Sequence, residues 1–128
     1  MDASALSHLL TSAEREAFEQ AGYLVVKNAI ESNLHRRLIE VVDRVDARER
    51  KPEHGNRLLS VTDVVQEDEA MVELIDNPRV FPKLLSILGW NIYLYHSHLD
   101  VTPSENTEDQ PWNVAWHQDS MRVNDEIE

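Results

Sequence analysis

Apolar residues recur along this chain with two different periods, and the change falls at Gly89. Before it, spacings of three and four dominate. Leu34, Leu38, Val41, Val42 and Val45 stand at i, i+4, i+7, i+8 and i+11, the stripe of an amphipathic helix. That helix should end near Arg50, ahead of Pro52. Val80, Phe81, Leu84, Leu85 and Leu88 form a second stripe, closed by Gly89. Between the two, residues 69–76 read as a short helix with Val72 and Ile75 turned inward. Asn77-Pro78 then breaks and restarts the pattern, with Pro78 suited to a first helical position. Upstream, Thr11-Ser12-Ala13-Glu14 is a capping box, a hydroxyl followed three residues later by a carboxylate. The helix it opens runs to Ala21 and stops at Gly22. Tyr23-Leu24-Val25-Val26-Lys27, rich in β-branched and aromatic residues, reads as a short buried strand, and Asn28 to Ser32 turns the chain.

After Gly89 the pattern alternates. Tyr93, Tyr95, Ser97, Leu99 and Val101 share one side of an extended segment; Ile92, Leu94, His96, His98 and Asp100 share the other. This second side begins apolar and turns polar, as a strand does when it runs into a site. Residues 102–112 form an acidic loop with Pro103 and Pro111, and Val114 to Asp119 reads as the next strand. Lys51 to Arg57 is a polar loop, and Leu58 to Val65 is readable either as strand or as irregular chain. Helices first and strands afterwards indicate an α+β fold, one domain over residues 1–128, mainly helical to residue 89 and strand-forming beyond it.

Composition narrows the function classes. The 128 residues include 24 acidic and 12 basic side chains, a net charge of −12. That sign repels nucleic acid and anionic lipid, so neither is an expected partner. Arg36, Arg37, Arg44, Arg48, Arg50 and Lys51 cluster on or after one helix, and read as a solvated face balanced by Glu40, Asp43, Asp46 and Glu49. No apolar run is long enough to span a bilayer, and the start lacks the pattern of a secretory signal. With no cysteine there is no disulfide, thiolate metal site or cysteine nucleophile. A cytoplasmic setting is the expectation.

Two constellations carry candidate chemistry. In Trp116-His117-Gln118-Asp119, the His-x-Asp spacing on an extended segment puts one imidazole and one carboxylate on the same face. Non-haem Fe(II) oxygenases join such a pair to a second, distant histidine. By itself the pair is more often structural than metal-binding; its place after another polar-faced strand favours the metal. The competitor is His96-x-His98 with Asp100 next on that face, which resembles a cupin-type metal pair. The glutamate such a site uses is missing at the required spacing, Glu105 being too far along, so hydrogen bonding in a polar wall is the simpler reading. His8, His35 and His54 read as surface residues. No phosphate-binding glycine loop and no nucleophile motif is present.

Residues 11–26, residues 76–89, the segment Tyr93-Leu94-Tyr95-His96-Ser97-His98-Leu99-Asp100-Val101 and then Trp116-His117-Gln118-Asp119-Ser120 together resemble the phytanoyl-CoA dioxygenase family, in this order and spacing. The resemblance implies a double-stranded β-helix, a jelly-roll barrel of cupin-like form, with helices outside. It implies Fe(II) held by His117, Asp119 and a distal histidine, with 2-oxoglutarate as co-substrate on the iron and an arginine on its far carboxylate. Such proteins split 2-oxoglutarate to succinate and CO2 and hydroxylate a small-molecule substrate. His96 is then the candidate for touching 2-oxoglutarate or substrate. No residue is assigned as acid, base or nucleophile.

The family's distal histidine and arginine belong to a later stretch, and residues 120–128 contain no histidine. The expectation is therefore the N-terminal part of a dioxygenase domain, an incomplete barrel that is inactive alone. Its open strand edges would favour self-association. Two other readings stand beside it: a non-catalytic remnant serving as a binding or assembly module, and a small metal-binding cupin built on His96 and His98.

Overall fold

The computed structural model describes residues 3–55 and 57–102. Four α-helices run through this part in the order α1 (Ser12–Ala21), α2 (Ser32–Glu49), α3 (Glu69–Ile75) and α4 (Phe81–Leu88). Strand β1 (Leu59–Thr62) lies between α2 and α3, and β2 (His98–Val101) follows α4. Short 3-10 turns occupy Ala3–His8, Pro52–His54 and Val64–Gln66. No helix among the described residues is long and apolar enough to cross a membrane.

The core forms where α2 meets α3 and the two strands. Val41 and Val45 pack on Ala70 and Met71, with Leu34, Leu38, Val61 and Leu99 closing around them. The helical stripe read from the sequence is therefore the seam, and α2 ends one residue before Arg50. On α3 the inward face differs from the expectation. Ala70 and Met71 are buried, whereas Val72 and Ile75 are 51% and 37% exposed. The cause is the helix start. Asp68 accepts the Ala70 N–H at 2.9 Å and caps the helix there, which sets its rotation against α2.

A ladder of arginines reinforces that seam. Arg48 forks onto Glu67 at 2.7 and 2.8 Å, Arg44 reaches Asp68 at 2.9 Å, and Arg37 reaches both Glu73 oxygens at 2.7 and 2.9 Å. The Arg48 guanidinium lowers the Glu67 carboxyl pKa, and the Ala70 N–H followed by Arg44 lowers that of Asp68. The basic cluster is thus balanced only in part by acids of its own helix. Of the four acids expected to balance it, Asp46 pairs with Arg50 and Glu49 with Arg48, while the cross-helix partners come from residues 67–73.

The N-terminal helix is tied on by polar contacts. Its capping box forms as read: the Glu14 N–H donates to Thr11 Oγ1 at 3.2 Å, and the Thr11 N–H donates to Glu14 Oε2 at 2.9 Å. Gly22 ends the helix in the left-handed region at φ 78, the conformation a glycine adopts at least cost. No residue of α1 is buried. Lys83 on α4 instead grips both Glu14 oxygens at 2.7 and 2.8 Å, and Arg15 donates to the Ser86 carbonyl at 2.9 Å. Lys83, then the Thr11 N–H and hydroxyl, hold the Glu14 carboxyl at a pKa of about 2 against an ordinary 4.5.

Three further expectations change. Residues 23–26 form no strand, and Tyr23 and Val25 are each 67% exposed, because no described segment offers them a ladder. On α4, Pro82 and Leu85 face inward while Leu84 and Leu88 are exposed. Pro78 lies in a turn, and Pro82 takes the early helical position. That turn is organised by buried Asn77, whose Nδ2 donates to the Ala29 carbonyl at 2.9 Å while its Oδ1 accepts the Arg79 N–H at 2.9 Å.

Candidate functional site

The two strands pair antiparallel, Leu59 opposite Val101, Ser60 opposite Asp100, Val61 opposite Leu99 and Thr62 opposite His98. Period-two alternation sorts this ribbon cleanly. Val61 and Leu99 turn toward α2 and α3, while Ser60, Thr62, His98 and Asp100 face outward and are exposed. The segment Leu58 to Val65 is thereby resolved as strand through Thr62. Asp63 in the left-handed region at φ 60 then ends the strand and leads into a 3-10 turn.

The expected strand over residues 91–101 pairs only from His98 onward. Its upstream part is held at one residue. Ser97 accepts the Asp63 N–H on its carbonyl at 2.8 Å and the Val65 N–H on its hydroxyl at 3.2 Å. Half-buried Ser97 is thus pinned between exposed neighbours. His96 stacks on His98, ring centroids 5.3 Å apart and planes 20° from parallel. Tyr95 meets the His96 ring edge-on at 5.0 Å. Asp100 Oδ2 lies 3.8 Å from His98 Nε2, beyond hydrogen-bonding distance and within range of a charge interaction.

His96, His98 and Asp100 therefore share one face, as their alternation implied. Among the described residues no three histidine, aspartate or glutamate side chains converge as a metal site. His117 and Asp119, the expected iron ligands, lie outside the described residues, as do Trp116 and the strand expected from Val114 to Asp119. Their donor set is one imidazole and one carboxylate, the chemistry that suits Fe(II) when a second imidazole joins them. His8 and His35 are exposed as expected. His54 is half-buried, and its Nδ1 accepts the Lys51 N–H at 2.7 Å, which fixes the loop after α2.

Two clefts border this framework. One, of about 260 Å³, is mostly apolar and runs between Leu38, Met71, Ile75 and Leu99, with His98 at its margin. The other, of about 340 Å³, lies beside Asn77 and carries Glu31, Glu73, Asp76 and Arg79. The sequence marks Asn77 only as part of a helix break and Ser97 only as a member of an alternating face. For Asn77 the signal was present, since an Asn-Pro junction favours a side-chain-capped turn.

Comparison with known proteins adds one likeness. The chain is similar to an ectoine dioxygenase from Streptomyces avermitilis, 24% identical over 119 residues that take in 84% of this chain and 40% of that protein. The chain thus spans well under half the length of the curated relative it matches. No family model matches the chain, and no solved structure matches it. Over most of its length, then, the likeness is to part of a dioxygenase.

Proposed function

We propose that this chain carries the first part of an Fe(II)- and 2-oxoglutarate-dependent dioxygenase domain of the phytanoyl-CoA dioxygenase type. The observation that supports this best is the His117-x-Asp119 pair in a chain similar to a dioxygenase over 84% of its length. His117 and Asp119 would hold Fe(II), whose chemistry when bound is activation of oxygen with 2-oxoglutarate as co-substrate. The chain's own part would be to supply one imidazole and one carboxylate, and to present His96 toward the co-substrate or substrate. The β1–β2 ribbon, backed by α2 and α3, would then be the start of a jelly-roll sheet.

His117 and Asp119 would be two of the three protein ligands such a centre uses, and no third is assigned among these residues. Succinate release by the chain alone is accordingly not expected. Release dependent on Fe(II) and 2-oxoglutarate would show the centre to be complete within it. The relative is named for ectoine, and at 24% identity the reaction class is proposed here without the substrate. The acidic balance disfavours a polyanionic acyl-CoA.

Calorimetric titration of 2-oxoglutarate under anaerobic conditions, with and without Fe(II), tests the reading. Binding should require Fe(II), disappear in His117→Ala, and weaken in His96→Ala. Binding that ignores both Fe(II) and His117 would remove the dioxygenase assignment. A cupin reading predicts the reverse pattern, with iron content lost in His96→Ala and kept in His117→Ala.

A further inference from the structure

The outward face of the ribbon presents two imidazoles, His96 and His98, side by side. His96 and His98 are exposed, on the same side of the backbone, and stacked at 5.3 Å between centroids. Among the described residues neither ring has a hydrogen-bond partner, and Asp100 Oδ2 stands 3.8 Å from His98 Nε2. The backbone between them is not free to drift. Ser97 is anchored on both its carbonyl and its hydroxyl, to Asp63 and Val65, and β2 begins at His98 in register with β1.

We infer that His96 and His98 form a two-imidazole site for a divalent transition-metal ion, with Cu(II) bound most tightly of the first-row ions. Imidazole nitrogen suits copper, nickel and zinc, and affinity for a given nitrogen site rises to Cu(II) across the row. Side chains at i and i+2 on an extended backbone project from one face, so rotation about the exposed side-chain bonds can aim both rings at one ion. The Ser97 anchor reduces the ordering that binding would otherwise require. Asp100 adds negative charge beside the pair, and the net charge of −12 raises the local concentration of cations. Binding replaces two metal-bound waters by two imidazole nitrogens. The remaining positions stay with water, as no third protein ligand converges among the described residues. The site needs neither residue 117 nor residue 119, so it stands or falls separately from the iron pair.

The test is a Cu(II) titration of tag-free chain, read by equilibrium dialysis and by electron paramagnetic resonance. The most tightly bound ion should show hyperfine splitting from two nitrogens. His96→Gln and His98→Gln should each weaken Cu(II) binding about tenfold or more, because the second imidazole acts at a high effective concentration. His35→Gln, at an exposed position of α2, and His117→Ala should leave it unchanged. All four variants should keep the parent's circular dichroism. Unchanged Cu(II) affinity in His96→Gln and His98→Gln would overturn the inference. So would loss of the bound ion in His117→Ala alone, which would place copper on the iron pair.

Discussion

Residues 98–101 and residues 91–95 carry the same kind of sequence and end in different states. Both alternate, and residues 91–95 are the richer in residues that favour strands. In β2 the alternation is expressed: Leu99 packs on the α2–α3 core while His98 and Asp100 face out. In residues 91–95 it is not. Tyr93, Leu94 and Tyr95 are 79%, 54% and 63% exposed, so neighbouring side chains on opposite sides are equally uncovered. The difference is the partner. β1 supplies a hydrogen-bond ladder to residues 98–101 and an apolar seam behind it, whereas among the described residues nothing pairs with residues 91–95. Residues 23–26 repeat the lesson, with Tyr23 and Val25 exposed. Period-two patterning specifies which side of a strand is apolar; a strand forms where another supplies the other half of the ladder.

Mutations can break this contrast. The largest effect is expected at the seam. Met71→Ala should cost about 2–5 kcal/mol, the range for emptying a buried site of this size, while Tyr93→Ala should change stability by less than about 0.5 kcal/mol. Urea unfolding of the two variants checks both values. A comparable loss at Tyr93 would show residues 91–95 to be covered by something in solution. Next comes Asn77→Ala, which leaves the Ala29 carbonyl and the Arg79 N–H without their partner. About 1–3 kcal/mol is expected, with faster hydrogen exchange at Arg79.

A smaller effect should follow acidification. The folded Glu14 carboxyl has a pKa of about 2, below its ordinary 4.5, chiefly through Lys83. A lowered carboxyl pKa stabilises the fold fully above the ordinary value and loses that contribution as pH falls through the folded one. The tie between α1 and α4 should therefore weaken between pH 4.5 and about 2, seen as hydrogen exchange in α1 accelerating ahead of α2. Lys83→Met should remove most of that pH dependence. Smallest of all should be the effect of salt on the arginine ladder. Arg48 and Arg44 are about half exposed, so added salt screens them and shifts the unfolding midpoint far less than Met71→Ala does.

How much of this was legible before the structure depended on whether the signal was local. The capping box at Thr11 and Glu14 and the glycine stop at Gly22 needed only neighbours in sequence, and both formed. The α2 stripe was long enough to fix its own face. On α3, seven residues with apolar side chains on several sides left the rotation to Asp68, so Ala70 and Met71 turned inward in place of Val72 and Ile75. The arginine partners at residues 67–73 were unreadable because pairing across helices depends on packing. At the candidate site, alternation did place His96, His98 and Asp100 together. The anchor that holds them, Ser97 bonded to Asp63 and Val65, is a contact across more than thirty residues of sequence with no local signature.

The proposed role of His117 and Asp119 as iron ligands is tested most directly by anaerobic Fe(II) titration of the chain, His117→Ala, Asp119→Ala and His96→Ala. Weak but saturable binding to the parent chain should be lost in the first two variants and kept in the third. Fe(II) affinity unchanged by His117→Ala and Asp119→Ala would contradict it.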